Sequence, residues 1–376
     1  GALEIVMACD LRFIADTASI SDWHLARLGT GIGGWGASTR LTKLVGVAQA
    51  SERLGWGIYN CGSGRAQPFN DVATTVAARK LLDILRAMPD GDVALSLNDK
   101  RMTVQSGKSR FALQTLAAEE FPTVAEAAEF NASVSLPQKT FKHLLAMVHF
   151  AMAQQDIRYY LNGMLLVVDG KKVMAVATDG HRLAYCGVEL ENEATGVGSR
   201  QEVIIPRKTI LELQRLLEDN DDPVQVQLAA NQVKFSFANV ELISKLVEGK
   251  FPDFQRVIPK GYKNAFAIDR VQLQQALQRT AILTTDKFKG VRCILDTHVL
   301  KISSTNADQE EAQEELELDY SGDALDIGFN VTYLLDVLGN LKSEQVQVSL
   351  GDSNSSALIT VPEDDNFKYV VMPMRI

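Results

Sequence analysis

The sequence predicts an α+β protein made of repeated domains, each with helices laid on one face of an antiparallel sheet. Three observations predict it. The segments RKLLDILRAMPDGDVALSL (79–97), RKTILELQRLLEDNDDPVQVQL (207–228) and NVTYLLDVLGNLKSEQVQVSL (330–350) share one pattern: an amphipathic helix, a polar turn and a strand. Their strands, at Val93, Val224 and Val346, alternate apolar and polar residues and start 131 and 122 residues apart. A related half-unit, strand then helix, stands at 130–151 and again at 265–283. A recurring unit that mixes both periods places its helices on one side of its sheet.

Taken in order, residues 1–57 do not fit the repeat. GALEIVMACDLRF reads as a helix running into a strand, GTGIGGWGAS (29–38) is glycine-rich, and RLTKLVGVAQASERL (40–54) is helical. The small, polar YNCGSGRAQPFND (59–71) marks a junction over 58–71. Residues 72–125 carry one helix–turn–strand segment with the strands RMTVQS and FALQTL, which is half a domain. Residues 126–259 carry a whole one, with strands through MLLVVDGKKVMAVATDGHRLAYC and then QVKFSF and ELISKL. Residues 260–376 carry another, with VRCILDTHVLKISSTN, SALITV and YVVMPM. EEFPTV (119–124) and GKFPDFQRV (249–257) end the first two copies, where proline after an aromatic suits a strand leaving for the next domain.

The bulk numbers narrow the function. The chain has 376 residues and a net charge of −9, which argues against simple wrapping of nucleic acid by the whole surface. No apolar run approaches the length of a membrane span, and the first residues lack a basic leader, so a cytoplasmic protein without a membrane partner is expected. Cys9, Cys61, Cys186 and Cys293 have no metal-ligand spacing and read as reduced thiols. The five histidines are scattered, so no metal and no cofactor are expected. Gly29-x-Gly31-x-x-Gly34 matches a dinucleotide fingerprint by letters, but no strand precedes it and no βαβ unit surrounds it.

ATDGHRLA (177–184) gathers Thr178, Asp179, His181 and Arg182. As an enzyme site, His181 would be a base oriented by Asp179, yet no nucleophile motif or second carboxylate stands nearby. As a turn, Asp179 bonds its own backbone and Gly180 permits positive φ after the strand VMAVAT. No enzyme activity is expected from this stretch.

Two resemblances extend the reading. Through GALEIVMACDLRF and GIGGWGASTRL, residues 1–57 resemble the middle segment of the enoyl-CoA hydratase (crotonase) family. That implies an unrelated α/β fragment. Glu4 falls on one acidic position of that family, but Trp23, His24 and Leu25 stand where the second is needed, so no hydratase activity is expected. Residues 72–376 resemble the bacterial β sliding clamp family. The resemblance is carried by QDIRYYLNGML (155–165), ATDGHRLA (177–184), KFPDFQRVIP (250–259), KFKGVR (287–292), DIGFNVTYLLDVL (326–338) and YVVMPMRI (369–376).

The second resemblance implies repeated DNA-clamp domains, helices lining the inside and antiparallel sheets outside. Two protomers would close head to tail around duplex DNA. This processivity factor would tether the DNA polymerase III catalytic subunit, the clamp loader and other motif-bearing proteins. It implies a partner-peptide cleft at Leu161, Thr178, Gly180, His181, Arg182, Leu183, Pro252, Arg256, Val257, Phe288, Asn330, Tyr333, Ser356, Val370, Val371, Met372, Pro373, Met374, Arg375 and Ile376. Asn354, apolar in many relatives, and the final Ile376, commonly leucine, depart from the family pattern. DNA contacts are implied at Arg79, Lys80, Gln155, Arg158, Tyr159, Tyr160, Arg207 and Lys208, with further helix cations at Arg86, Lys139, Lys142, Arg215, Arg270 and Arg279. The homodimer interface is implied to join Lys108, Arg110, Phe111 and Leu113 to Ile282, Leu283, Asp308, Glu310 and Glu311. A peptide-binding module without ring closure, or an acyl-CoA hydratase fragment, are the alternatives.

Overall fold

A computed structural model describes residues 74–89, 91–98, 100–118, 127, 129–196, 200–285, 288–362 and 364–376. The stretch 1–57, read above as resembling the crotonase family, and the stretch 58–71, read as a junction, lie outside them. The chain divides into two compact units, Gly1–Glu126 with Ala238–Leu242, and Ala127–Phe237 with Ile243–Ile376.

In the first unit, β1 (Thr74–Val76) leads into helix α1 (Ala78–Ala87), followed by β2 (Ala94–Asn98), β3 (Arg101–Ser106) and β4 (Ser109–Ala117). The sheet order is β1-β4-β3-β2. Helix α1 places Leu81 and Leu85 on one face, where they pack with Met88 and Val104. It stops at Met88, whose extended backbone suits the residue before Pro89. β1 covers only Thr115–Ala117 of β4. Among the described residues, Ser109–Gln114 therefore pairs on one side alone, with β3.

The second unit holds β5 (Ala132–Pro137), α2 (Gln138–Ala146), β6 (Gly163–Asp169), β7 (Lys172–Thr178), β8 (Arg182–Glu189), β9 (Gln201–Pro206), α3 (Arg207–Leu216), β10 (Pro223–Leu228), β11 (Gln232–Phe237) and, from Ile243 on, the end of β12 (Val240–Lys245). A short turn of helix, α4 (Phe254–Val257), precedes β13 (Asn264–Asp269), α5 (Arg270–Thr280), β14 (Gly290–Asp296), β15 (Val299–Thr305) and β16 (Glu311–Glu317). The chain ends with β17 (Leu325–Asn330), α6 (Val331–Asn340), β18 (Gln345–Leu350), β19 (Ala357–Val361) and β20 (Asp364–Val371). The repeat is visible as strands that run straight into helices: β5–α2, β9–α3, β13–α5 and β17–α6. Two of these joints are capped by the strand's last side chain. Asp269 accepts from the Gln272 N–H and Asn330 from the Thr332 N–H.

The sequence repeat marks 126–259 and 260–376 as separate domains, yet their strands join in one sheet, β13-β18-β19-β20-β8-β7-β6-β9. The seam is β20 on β8, with Val371 opposite Arg182 and Phe367 opposite Cys186. Strands β6, β7 and β8 are buried on both faces, which explains their almost unbroken apolar runs. On one face, Leu165, Val167, Met174, Val176, Leu183 and Tyr185 pack with Phe251 and Phe254 of the connecting segment and with Val370 of β20. The C-terminal strand ends at Val371, so Met372–Ile376 leave the sheet.

Candidate functional site

One end of the long sheet collects the turn between β7 and β8, the loop before β6, the start of α3 and the tail after β20. The turn is built as its residues require. Asp179 accepts from the His181 N–H at 2.9 Å and the Arg182 N–H at 3.1 Å, and Gly180 has φ +91°. The Thr178 hydroxyl donates to the Arg182 carbonyl and accepts from the Gly180 N–H. Asp179 thus spends its carboxylate on the turn and on Arg182. His181 is exposed and its ring lies 6.4 Å from that of Tyr333, stacked at 20°.

Arg182 is held from three directions. Nε donates to Asp179 at 3.1 Å, Nη1 to Asp336 of α6 at 2.5 Å, and Nη2 to the Phe150 carbonyl at 2.7 Å. Its guanidinium carbon sits 4.4 Å from the Tyr333 ring centroid, and its side chain is 9% exposed. Burial works against this charge, but Tyr369, Asp336 and Asp179 outweigh it and hold the guanidinium above its ordinary pKa. Burial also raises the Tyr333 phenol. The Tyr369 hydroxyl donates to the Tyr333 carbonyl at 2.9 Å.

The tail crosses both sequence domains. The Met372 N–H donates to the His181 carbonyl at 2.8 Å and the Met374 N–H to the Gly328 carbonyl at 2.9 Å. Ile376 settles over Gly328 and Gly290, beside Phe288. A Cβ at Gly328 would lie 2.6 Å from the Ile376 side chain, and one at Gly290 2.9 Å from Phe288. Met372, Arg375, Ile376 and Phe288 are exposed, and Pro373 and Met374 are half-buried. Leu161, Thr178, Leu183, Val370 and Val371 are buried. Pro252 and Arg256 are exposed, the latter paired with Asp253 at 2.9 Å, and Val257 packs on the core. Asn330 spends its side chain on the α6 cap, and the Ser356 carbonyl accepts from the Tyr262 hydroxyl.

The loop before β6 is tightly braced. Asn162 and Asp156 exchange two hydrogen bonds, and Asp156 grips Arg158 through both carboxylate oxygens. The Arg158 guanidinium holds the Asp156 carboxyl well down, at about 2. Arg158 also donates to the Asp179 carbonyl, and a Cβ on Gly180 would meet its Nη1 at 2.9 Å. Arg158 therefore rests on the turn rather than standing free. Gln155, with φ +54°, and Tyr159 are exposed, Tyr160 packs on the core, and the unassigned Ile157 is 96% exposed.

The helix cations separate into two groups. Arg207 turns inward to the His149 and Met152 carbonyls at 3.4 Å, where burial and then Arg182 lower its pKa. Arg270 bonds the Ser343 and Leu338 carbonyls. Lys139, Arg215 and Arg279 are paired with Asp221, Glu212 and Glu314. Lys208, Arg79 and Lys80 are exposed. Of the residues assigned to the dimer interface, Phe111 is 40% and Ile282 77% exposed, and Lys108, Arg110, Asp308, Glu310 and Glu311 are also exposed. Leu113 packs into the first unit's core, and Leu283 is half-buried.

Comparison with known proteins gives the family. Three family profiles match: the DNA polymerase III beta subunit N-terminal domain over residues 64–125, its central domain over 135–253 and its C-terminal domain over 255–375. The beta sliding clamp of Pseudomonas aeruginosa is 47% identical over 303 residues, 80% of this chain and 82% of its own. That of Escherichia coli K12 is 44% identical over 311 residues, 82% and 84%. The chain belongs to the β sliding clamp family. A crystal structure of the Pseudomonas aeruginosa DNA polymerase III subunit beta gives a TM-score of 0.73 at 47% identity, covering 81% of this chain and 83% of that one. The N-terminal-domain match starts at residue 64, inside the stretch read as a junction.

For this clamp-family chain, the sequence reading missed Asp336, Phe150 and Asp156. Asp336 lies inside a quoted motif, three residues after Tyr333, but its distance from Arg182 along the chain hides their pairing. Phe150 acts through its backbone carbonyl, which leaves no trace in residue type.

Proposed function

We propose that this chain acts as a DNA sliding clamp. It closes with a second copy into a ring around duplex DNA and tethers DNA polymerase III, the clamp loader and other proteins by short peptides. The observation that carries the peptide site is the β8–β20 seam, which sets the turn at His181 beside the tail at Met372. Exposed Phe288, Met372 and Ile376 supply an adaptable apolar rim, and the exposed His181 supplies a polar edge. Lys80 and Lys208 meet phosphate without reading sequence. The open edge of β4 at Ser109–Gln114 and the β16 edge, with basic Lys108 and Arg110 against acidic Asp308, Glu310 and Glu311, form the ring joint. The work is tethering in the cytoplasm, without bond chemistry. Residues 1–57 are a crotonase-derived fragment that does not hydrate crotonyl-CoA.

Loading by a clamp loader onto nicked circular DNA tests the ring. Retention on the circle and release on linearisation are expected. Loss from the circle, with binding of a labelled Gln-Leu-x-Leu-Phe peptide intact, would leave a peptide module without ring closure. Hydration of crotonyl-CoA above background would overturn the reading of residues 1–57.

A further inference from the structure

We infer that Asp336 is a positioning residue for peptide capture, acting through Arg182 on the His181–Tyr333 platform. The inference rests on the peptide-cleft reading. A guanidinium offers its N–H groups in a fixed planar fork, so three acceptors placed around it define both its position and its plane. Here the acceptors come from three places: Asp179 in the turn, the Phe150 carbonyl after α2, and Asp336 on α6. The first two belong to the sequence domain 126–259, the third to 260–376. Asp336 is thus the carboxylate that ties the fork to the far side of the β8–β20 seam, where Tyr369 and the Tyr333 ring also face the guanidinium. The plane it sets carries the Tyr333 ring at 4.4 Å, and the His181 ring stacks on Tyr333. Asp336 itself is one-third exposed, whereas Arg182 is nearly buried. Removing the Asp336 charge leaves the Arg182 charge, out of water, to re-aim toward Asp179 and withdraws the support beneath Tyr333.

The test uses the full chain and a fluorescently labelled Gln-Leu-x-Leu-Phe peptide, followed by anisotropy and stopped-flow dissociation. Asp336→Asn is expected to weaken affinity about tenfold, within the range for residues sharing one network, mostly through faster dissociation. Asp336→Glu is expected to recover most of the loss, because it keeps the charge. The thermal midpoint of each variant is recorded alongside. A double-mutant cycle separates positioning from plain stability. Asp336→Asn and His181→Ala touch different atoms, and their effects on affinity are expected to be clearly less than additive. Asp221→Asn, which breaks the exposed Lys139 pair on α2, serves as control and leaves affinity unchanged. Wild-type affinity in Asp336→Asn, or strict additivity with His181→Ala, overturns the inference while the cleft stands. Absence of peptide binding by the unaltered chain overturns the cleft reading, and this inference with it.

Discussion

Gly180 shows how narrowly single residues define the site. Its φ of +91° costs a side-chain-bearing residue strain, and a Cβ there would also press on the Arg158 guanidinium at 2.9 Å. Gly180→Ala is expected to destabilise the protein by about 1–2 kcal/mol, read as a lower urea midpoint, and to weaken peptide binding by displacing Arg158 from the Asp179 carbonyl. The two described thiols give a second residue-level prediction. Burial pushes both Cys186 and Cys293 up to about 12. At pH 8, peptide-mapped alkylation of the native protein is expected to spare both, and unfolding in urea to expose both. The sign follows from linkage. A thiol raised on folding leaves stability intact below its ordinary value near 9, and stability falls as pH climbs from there toward 12. The Asp179–Gly180 turn was legible in the sequence because its chemistry is local. The burial of Arg182 was not. Its partners stand far apart along the chain, and one of them is a backbone carbonyl.

At the scale of elements, the strand–helix repeat was legible because each unit keeps its own period, and the helices begin where the strand sequences predict. The assignment of helix cations to phosphate was less legible, since a lysine or arginine on a helix does not declare which way it turns. Arg207 and Lys208 are neighbours on α3 with opposite environments: one bonds carbonyls of the 149–152 segment, the other is exposed. Arg207→Ala is expected to destabilise the second unit by about 1–3 kcal/mol, the cost of losing a charged donor to the Met152 and His149 carbonyls, of which the latter keeps the Met152 N–H. Lys208→Ala is expected to leave the thermal midpoint in place and to lower the salt slope of DNA binding by about 1. Calorimetry and binding titrations at several salt concentrations check the pair. The reverse outcome, a stable Arg207→Ala with a shallower salt slope, would return Arg207 to the DNA-facing group.

At the scale of the whole molecule, two domains that the repeat separates share one sheet, because β20 completes the hydrogen bonding of β8. Pairing between strands so distant in sequence leaves no periodic signal, so this seam could not be read beforehand. The same completion is absent from two edges among the described residues. β4 is open over Ser109–Gln114, and β16 pairs only with β15. Edges of this kind template association unless charge restrains them. Here the charges are of opposite sign: Lys108 and Arg110 stand at one edge, and Asp308, Glu310 and Glu311 at the other. On the ring reading proposed above, each edge would repel its own kind and attract the other, which would favour head-to-tail pairing over like-with-like contact. The apolar anchors proposed for that joint are Phe111 and Ile282, both large and exposed in the single chain. Ile282→Asp places a charge at the centre of that joint, and at least about 2 kcal/mol of association energy is expected to go, the loss typical of an anchor residue. In analytical ultracentrifugation the protein shifts from dimer to monomer at micromolar concentration. Peptide affinity is expected to stay at its original value, because the proposed cleft draws its residues from one chain. An Ile282→Asp protein that remains dimeric at that concentration would place the ring joint on another surface.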